Sequence, residues 1–501
     1  MSKQVRVRFA PSPTGPLHIG GVRTALFNYL FAKKNNGVFY VRIEDTDQNR
    51  FVPGAEEYIM EALDWLGIAP DETIGKNEKF GPYRQSERKD LYQKYAADLI
   101  TSGNAYYAFD TAEALNAARK LEEEQGKTFI YNHTNREKLD TSLVISAEET
   151  AKRIAAGAHY VIRFKTPINE TLHLHDIIRG DVKFDTNLLD DKVLFKSDGM
   201  PTYHLANIVD DHLMETTHVI RGEEWLPSMP LHVLLYRAFG WEAPQFAHLP
   251  LIMKPIGNGK LSKRDGDKMG FPVFPLDWKT EEGISSGYKE KGFFPEAVIN
   301  FLALLGWNDG TDKELFSLDE LVASFDLHRV HKSGAKFDPE KNKWFNHQYL
   351  IKQEDANLAK AFSPILIEKG FAIDESKLTK IVSLIKERAH FVSEFWEMSD
   401  FFFVAPASYD EKASKNWKAE TPALMQELIS VIEEITDFTS SNIETVVKEW
   451  MTKNEIGMGK IMQPFRLSLV GALKGPHLFD IVELIGKEET ISRIQKAITA
   501  L

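Results

Sequence analysis

The sequence contains no cysteine among its 501 residues. Disulfides, thiolate zinc sites and cysteine nucleophiles are therefore excluded. It also lacks an apolar run long enough to cross a bilayer, and residues 1–9 lack the apolar stretch of a signal peptide. A basic excess is missing too, since the formal net charge is −12, which argues against a protein that coats nucleic acids indiscriminately. We expect a cytoplasmic protein that binds any nucleic acid through local basic patches.

The first part of the chain alternates between segments typical of strands and of helices. Residues 5–9 alternate apolar and basic side chains, and residues 11–16 are rich in proline, so a strand and then a rigid loop are predicted. Residues 22–34 carry apolar side chains at helical spacing, and residues 38–43 are typical of a strand. Strand, helix and strand predict a parallel βαβ unit.

Residues of about 110–190 interrupt this pattern. They are more polar, with a charged helical stretch at 112–125 and a strand-like segment at 159–164. The α/β pattern then resumes at 193–196 and 217–221. We therefore expect an insertion between two halves of one α/β sheet that close over a single crevice.

Beyond about residue 350 the strand patterns become scarce. A helix is predicted at residues 424–435, with Thr421 as its N-cap and Pro422 in its first turn. The expected fold is an α/β Rossmann-type catalytic domain with an inserted α+β domain, followed by a predominantly α-helical C-terminal region. The expected boundaries are 1–109 and 191–255 for the halves of the catalytic domain, 110–190 for the insert, 256–350 for a basic loop and the region after it, and 351–501 for the helical domain.

The loop at residues 11–21 is the first candidate for chemistry. It lies between the first predicted strand and helix, where backbone amides at the helix start favour a phosphate. His18 can donate a hydrogen bond to a phosphate oxygen, and Gly20 and Gly21 allow a planar base to approach the backbone. Taken alone, the pattern also fits a tight proline–glycine loop with a surface histidine.

A second candidate is the glycine-flanked basic loop at residues 257–264, Gly-Asn-Gly-Lys-Leu-Ser-Lys-Arg. Lys260 and Lys263 could neutralise the charge that develops on a leaving pyrophosphate. The alternative is a solvated basic loop, which is the usual role of an isolated pair of lysines.

Together the two loops resemble the HIGH and KMSKS motifs of the class I aminoacyl-tRNA synthetases, in the right order. Gly21 replaces the second histidine and residues 260–264 read Lys-Leu-Ser-Lys-Arg, variants that resemble the glutamyl branch of this class. The likeness runs over nearly the whole chain and is sharpest in four further stretches, at 42–47, 84–88, 203–212 and 220–225.

The resemblance implies an ATP-dependent ligase that activates L-glutamate to glutamyl-AMP and transfers it to the 3′ end of tRNA(Glu). ATP is expected with Mg²⁺, although the sequence shows no dedicated carboxylate cage for the ion. Alignment and charge stabilisation by His18, Lys260 and Lys263 would replace a covalent nucleophile. The C-terminal helical region is expected to bind the anticodon, and we expect a monomer.

A glutamate pocket needs a cation for the side-chain carboxylate, and it rejects glutamine when that cation stays unpaired. Arg8 and Arg221 end predicted strands, where such a pocket would lie. The resemblance implies that these two arginines, with Tyr203 and Asn207, hold the glutamate carboxylates. It places Ala10, Ser12 and Glu44 around the amino group. Without the resemblance, Arg8 could be an exposed strand residue and Glu44 a salt-bridged acid.

The resemblance also implies an ATP site formed by His18, Gly20, Glu224, Trp225, Lys260 and Lys263. Trp225 could instead be an ordinary core residue. His204 and His212 match no compact zinc pattern, so no metal site is predicted. Some family members carry a cysteine-rich zinc knot in the insert, but residues 105–110 here read Ala-Tyr-Tyr-Ala-Phe-Asp. We therefore expect no zinc, and an insert held by packing alone.

Candidate contacts to tRNA are spread over two regions. Lys332 and Lys336 belong to a basic stretch at residues 328–344, which would by default be a solvated face. Arg466 resembles part of the family's anticodon-reading surface. Arg388 and His390 are where we would look for reading of the third anticodon base, which decides whether tRNA(Gln) is also charged.

Four other kinds of protein fit these patterns less well. A glutaminyl-tRNA synthetase would have β-barrels in its distal half, and the short glutamyl-queuosine tRNA-modifying relative would lack an anticodon domain. A small-molecule nucleotidylyltransferase shares a His-x-Gly-His loop but has no use for about 150 further helical residues. A catalytically silent tRNA-binding protein would have no reason to keep His18, Lys260 and Lys263.

Overall fold

The structure is a computed structural model that describes residues 3–281 and 283–501. The chain forms two compact units, Met1–Asn342 and Lys343–Leu501. Among the described residues, no helix has both the length and the apolar character needed to cross a membrane.

The strands all lie in the first unit, as far as the chain is described. They are β1 Arg6–Phe9, β2 Val38–Val41, β3 Ala105–Ala108, β4 Val161–Phe164, β5 Thr171–Asp176, β6 Gly180–Asp185, β7 Val193–Phe195, β8 His218–Gly222, β9 Gln245–Leu249, β10 Ile252–Met253, β11 Trp278–Thr280, β12 Gly283–Ser285 and β13 Ala335–Lys336.

The helices of this unit alternate with the strands along much of the chain. They are α1 Ile19–Lys34, α2 Ala55–Trp65, α3 Lys89–Thr101, α4 Ala112–Glu124, α5 Ala147–Ala155, α6 Tyr203–Leu213, α7 Met229–Ala238, α8 Lys263–Met269, α9 Pro295–Leu304 and α10 Leu318–Ser324, and α11 Pro339–Lys352 runs into the second unit.

The central strands are parallel. β1 pairs with β2 in parallel, with α1 between them in the chain, so the predicted βαβ unit is confirmed. β8 pairs in parallel with β9, and β9 in parallel with β5. The Thr217 N–H, just before β8, donates to the Arg6 carbonyl in β1 at 2.9 Å. The carboxyl ends of β1 and β8 therefore lie side by side, where an α/β sheet forms its ligand crevice.

Helix α1 begins three residues before the predicted start at residue 22. His18 is its N-cap, and the His18 Nδ1 accepts a hydrogen bond from the Gly20 N–H at 3.1 Å. Most of its apolar side chains are buried, including Leu26, Phe27 and Leu30. This helix packs against the sheet and fixes the position of the loop that precedes it.

A separate three-stranded antiparallel sheet has the order β3-β4-β7. Only β4 lies within the predicted insert, and β7, which was expected to resume the catalytic pattern, pairs with β4 instead. The expectation that packing alone holds the insert is wrong. The Tyr131 hydroxyl donates to Asp110 Oδ2 at 2.7 Å, and the Tyr106 hydroxyl donates to Asp191 Oδ2 at 2.7 Å. Arg136 lies 3.2 Å from the same Asp191 carboxylate. Buried polar groups are stable there because each finds a partner.

The second part of the predicted insert joins the central sheet. The hairpin of β5 and β6 pairs with β9 through β5, giving a four-stranded sheet in the order β6-β5-β9-β8. The insert and the second half of the catalytic sheet are therefore continuous at this point.

The second unit is helical. Its helices are α12 Asp355–Glu368, α13 Glu375–Ile385, α14 Phe395–Ser399, α15 Glu411–Ser414, α16 Thr421–Glu434, α17 Ser440–Lys453, α18 Met458–Val470, α19 Leu478–Ile485 and α20 Lys487–Ala500.

Residues 343–501, all of which the structure describes, contain no strand, as predicted. The predicted cap of α16 is wrong by one residue. Thr421 is the first helical residue and Glu420 the cap, and the Thr421 hydroxyl accepts from the Lys418 N–H at 2.9 Å.

Candidate active site

A cleft of about 970 Å³ lies at the carboxyl ends of β1 and β8. It brings together most of the residues that the sequence singles out. Of the predicted catalytic, glutamate and ATP residues, the cleft is lined by Arg8, Ala10, Ser12, His18, Gly20, Glu44, Tyr203, Asn207, Arg221, Glu224, Trp225 and Lys260. Lys263 is the predicted residue of these groups that does not line it.

His18 points an uncharged donor at the cleft. Its Nδ1 accepts from the Gly20 N–H, so its proton is on Nε2, which is buried without a hydrogen-bond partner in the described chain. Burial, together with the charge of Lys260, lowers the pKa of His18 to about 4. The imidazole is therefore neutral at physiological pH, and its Nε2–H can donate to a phosphate oxygen.

Steric crowding explains why position 21 is a glycine. A Cβ atom there would lie 2.7 Å from Leu17 Cδ1 and 3.6 Å from the ring of Phe9. Leu17 and Phe9 are both buried, so they have little room to move aside. The second histidine of the generic motif therefore does not fit this loop in its present packing.

Arg8 belongs to a buried ion network beneath the cleft. Its Nε and Nη2 donate to both oxygens of Asp211 at 3.0 and 3.1 Å. Arg42 Nη1 donates to the same Asp211 at 2.9 Å, and Arg42 Nη2 donates to Glu44 Oε1 at 2.9 Å. Burial alone would raise the pKa of Asp211, but Arg8 and Arg42 hold it below its ordinary value. Arg8 is thus already paired before any ligand binds.

The network continues to a second carboxylate. Arg88 Nε donates to Asp210 Oδ1 at 2.7 Å, and the Tyr92 hydroxyl and the Gln85 amide each donate to Asp210 Oδ2 at 2.8 Å. The ionic members are three arginines and three acids: Arg8, Arg42, Arg88, Glu44, Asp210 and Asp211. Their formal charges cancel, which is the condition under which a buried cluster of this size is tolerated.

Glu44 is placed to accept a further hydrogen bond. Its Oε1 accepts from Arg42 and, at 3.0 Å, from Asn207 Nδ2. Both bonds go to Oε1, and Glu44 also lines the cleft. Burial raises the pKa of Glu44, while Arg42 and Arg8 oppose that shift.

Arg221 differs from Arg8 and Arg42 because its hydrogen-bond partners are uncharged. Its Nη1 donates to the Tyr203 hydroxyl at 3.0 Å and to His232 Nδ1 at 3.2 Å. Its Nε lies 3.1 Å from His248 Nε2, and its Nη2 donates to the Trp225 carbonyl at 3.3 Å. Arg221 is only 5% exposed. A buried guanidinium held by neutral acceptors retains its full charge for an anionic ligand.

Trp225 lies on the wall of the cleft and is not a core residue. Its side chain is 38% exposed, and its ring packs on that of Tyr203 with centroids 4.2 Å apart. The 3₁₀ segment Glu223–Ser228 after β8 positions it together with Glu224. An exposed aromatic face beside a phosphate-binding loop suits a nucleobase.

The basic loop lies at the rim. Lys260 Nζ is 3.2 Å from Glu224 Oε1, and both side chains are about half exposed. Lys263 is exposed and begins α8, whose N-cap Ser262 forms a capping box with Asp265. The capping box fixes the start of the helix.

The candidate tRNA residues are placed outside the cleft. Lys332 and Lys336 are exposed, as a phosphate contact requires. Arg466 is half-buried, and its Nη1 donates to the carbonyls of Lys474 and Pro476 at 3.0 and 2.8 Å. Burial, with Arg388 nearby, lowers its pKa.

Arg388 and Arg466 support the same loop. Arg388 Nη1 donates to the Gly475 carbonyl at 3.2 Å. His390 is about half exposed, and its backbone N–H donates to Glu394 Oε2 at 2.7 Å. Any contact of the two arginines with RNA would therefore be made by side chains that also brace residues 474–476.

His204 and His212 make separate contacts and do not form a metal site. His212 stacks on Trp241 with ring centroids 3.7 Å apart, whereas His204 Nδ1 lies 3.1 Å from His232 Nε2. Across residues 3–281 and 283–501, no group of three or more histidines and acids is arranged to hold a metal ion.

Several residues that shape the site have no role predicted from the sequence. Arg42 stands out there only as part of a family-like stretch, and Asp211 only there and as a neighbour of His204 and His212. Asp176, His232 and His248 do not stand out at all. Each of them is buried and charged or titratable. A charged residue inside a strand or helix that is otherwise apolar was the available signal.

Comparison with known proteins places this fold and cleft in a class. The model of the family "tRNA synthetases class I (E and Q), catalytic domain" matches residues 4–344, and that of the family "Anticodon binding domain" matches residues 357–498. The protein is therefore a class I tRNA synthetase with a helical anticodon-binding region, and the predicted fold class is confirmed.

Individual similar proteins show to which family within this class the chain belongs. The glutamate–tRNA ligase of Flavobacterium johnsoniae is 86% identical over 100% of both chains, and that of Flavobacterium psychrophilum is 77% identical over 100% of both. A crystal structure of a glutamate tRNA ligase from Elizabethkingia meningosepticum, described as in complex with its amino acid, is 55% identical with a TM-score of 0.97 and covers 100% of each chain. This chain belongs to the glutamate–tRNA ligase family, as the resemblance implied.

Proposed function

We propose that this enzyme, as a glutamate–tRNA ligase, activates L-glutamate with ATP and transfers it to tRNA(Glu) through the residues of this cleft. The observation that carries the assignment of roles is Arg221, a buried cation whose partners are all neutral. It would bind the side-chain carboxylate of glutamate. Glutamine would leave its charge unpaired, which is the strongest form of discrimination that a polar site offers.

The other end of glutamate would be held by the buried network. Oε2 of Glu44 would accept from the ammonium group, beside Ala10 and Ser12 of the loop after β1. Asn207 and Arg8 line the same part of the cleft, and Arg8 keeps Nη1 for the α-carboxylate after Asp211 has taken its Nε and Nη2. Tyr203 completes the pocket next to Arg221.

ATP would occupy the part of the same cleft that borders the proposed glutamate pocket. Its adenine would lie against Trp225 and Glu224, and its phosphates near the His18 Nε2–H and the backbone at Gly20. An oxygen of the glutamate α-carboxylate attacks the α-phosphorus of ATP, the bond to the β-phosphate oxygen breaks, and pyrophosphate leaves. Lys260 and Lys263 would balance the charge on that leaving group, and Mg²⁺ would enter bound to the ATP phosphates.

In the second step the terminal ribose hydroxyl of tRNA attacks the carbonyl carbon of glutamyl-AMP, and AMP leaves. Lys332, Lys336 and Arg466 are proposed to contact the tRNA. We further propose that the enzyme acts in the cytoplasm as a monomer, which light scattering of the purified protein would test.

The direct test is charging of purified tRNA(Glu) and tRNA(Gln) with labelled glutamate and ATP. Charging of tRNA(Glu) alone would make the enzyme discriminating, and charging of both would make it non-discriminating. Lys263→Ala should lower the charging rate of either by about 10²–10³-fold. A failure of the unsubstituted enzyme to charge any glutamate tRNA would overturn the proposal.

A further inference from the structure

Arg221 is held from behind by two residues that do not line the cleft. His248 lies in β9 directly opposite Arg221 of β8 in the parallel register, and Asp176 ends β5 on the other side of β9. The three side chains therefore form a row across three adjacent strands. Neither His248 nor Asp176 has measurable exposure.

The hydrogen bonds in this row have only one consistent direction. His248 Nδ1 lies 2.6 Å from Asp176 Oδ2, so the ring proton is on Nδ1 and is donated to the carboxylate. His248 Nε2 then has a lone pair, and it accepts from Arg221 Nε–H at 3.1 Å. A doubly protonated His248 would turn a second donor against the guanidinium.

Asp176 is itself fixed. It accepts from the backbone N–H groups of Ile178 and Arg179 at 3.0 and 2.8 Å, and from that of His248 at 3.1 Å. Burial alone would raise the pKa of Asp176, but the hydrogen bond from the His248 ring, followed by those from the backbone, holds it below its ordinary value. The carboxylate is therefore a stable anchor for the imidazole.

The opposite edge of the Arg221 guanidinium also meets a neutral imidazole. His232 Nδ1 accepts from Arg221 Nη1, so the His232 proton is on Nε2 and points to His204 Nδ1 at 3.1 Å. Burial lowers the pKa of His204, His232 and His248, which keeps all three rings neutral. Arg221 is thus oriented on two edges without a neutralising charge in contact.

We propose that Asp176 and His248 are positioning residues that orient Arg221 and so set the enzyme's selectivity for a side-chain carboxylate. This Asp176–His248 relay supplies a fixed acceptor to Arg221 Nε. The negative charge on Asp176 stays separated from Arg221 by the imidazole ring of His248. A carboxylate in direct contact with Arg221 would orient it equally well, but it would also neutralise the cation that glutamate needs. This inference rests on the proposed role of Arg221.

The test compares His248→Leu with His248→Gln in charging of tRNA(Glu). Leucine fills the space but offers no acceptor, so the KM for glutamate should rise about 10-fold or more, with the KM for ATP unchanged. Glutamine can accept from Arg221 through Oε1 and donate to Asp176, so it should restore most of the loss. His218→Gln is the matched control, because His218 lies in β8 and bonds Thr217 instead of Arg221.

Three outcomes decide the matter. An unchanged KM for glutamate in His248→Leu overturns the relay, as does an equal loss in both His248 variants that follows their melting temperatures. If His248→Leu does not fold, Asp176→Asn should raise the KM for glutamate without changing that for ATP, and no rise overturns the relay. Arg221→Gln tests the role of Arg221 separately from that of Asp176 and His248. If this variant keeps its preference for glutamate over glutamine, the proposed role of Arg221 itself has failed.

Discussion

The side of the cleft that is proposed to bind glutamate is buried and hydrogen-bonded, whereas the side that carries Lys260 is exposed. Arg8, Glu44 and Arg221 each have at least two hydrogen bonds before a ligand arrives. Lys260 has one half-exposed ion pair, and Lys263 lies outside the cleft. Groups that choose a substrate benefit from a fixed geometry, while groups that follow a leaving pyrophosphate must be free to move. Substitutions on the two sides should therefore have different effects.

The largest effect is expected where the buried network loses a charge. Asp211→Asn leaves Arg8 and Arg42 without their shared carboxylate, and loss of one partner of a buried pair costs about 3–5 kcal/mol in the free energy of unfolding. Urea titration measures it. Asp181→Asn is the control, since its pair with His175 is exposed, and its transition should not move. Equal midpoints for the two variants would refute the prediction.

The same pair of proteins gives a pH test. The pKa of Asp211 is lowered in the folded protein, so its contribution to stability is complete above the unfolded value of about 3.9. It should be lost as the pH falls through the lower, folded value. The difference in unfolding free energy between the unsubstituted protein and Asp211→Asn should therefore be constant near neutrality and shrink in acid.

On the exposed side, Lys263→Ala should reduce kcat without lowering stability. Loss of one group that stabilises transition-state charge typically costs about 10²–10³-fold in kcat. The KM for glutamate should not change, because the proposed glutamate pocket is formed by other residues. Lys268→Ala, at the far end of the same short helix, is the control for α8. A change confined to the KM for glutamate would contradict the division of the cleft.

His18 should act as a neutral donor. His18→Ala is expected to lower kcat about 10²-fold. Because the pKa of His18 is lowered to about 4, its protonation should leave kcat/KM flat between about pH 6 and 8. An inflection near pH 6.5 that disappears in His18→Ala would show that the histidine titrates normally, against its buried geometry.

The smallest effect is expected at the rim. Glu224→Gln removes the ion pair with Lys260, and an exposed pair contributes less than about 1 kcal/mol to stability. Melting temperature should be nearly unchanged, while the KM for ATP should rise if Glu224 contacts the nucleotide. A large loss of stability with an unchanged KM for ATP would contradict both the small contribution of this ion pair and the contact of Glu224 with the nucleotide.

The sequence predicted the fold well where periodicity was strong. The βαβ start and the helical C-terminal region follow from residues 5–43 and from the lack of strand patterns after 350. It missed the cap of α16, because threonine is a favoured cap and glutamate is not, yet the Thr421 hydroxyl bonds the Lys418 N–H and the helix begins at Thr421 itself. It also led us to expect an insert held by packing, since single residues such as Tyr131 and Asp110 give no sign that they will meet.

The residues of the site likewise divide into those that could be predicted from the sequence and those that could not. His18 and Lys260 lie in motifs that can be read locally, and the structure brings them into one cleft. Asp211 and Asp176 could not be assigned from sequence, because their roles depend on partners 169 and 72 residues away. Long-range pairing of buried charges leaves no local pattern, so only the folded chain shows it.

The most direct test of the account is the ratio of kcat/KM for glutamate over glutamine in tRNA charging by Arg221→Gln. If the buried, uncompensated cation selects the substrate, the substitution should lower this ratio by at least about 10²-fold and leave the KM for ATP unchanged. A ratio equal to that of the unsubstituted enzyme would show that the selectivity for glutamate lies elsewhere in the cleft.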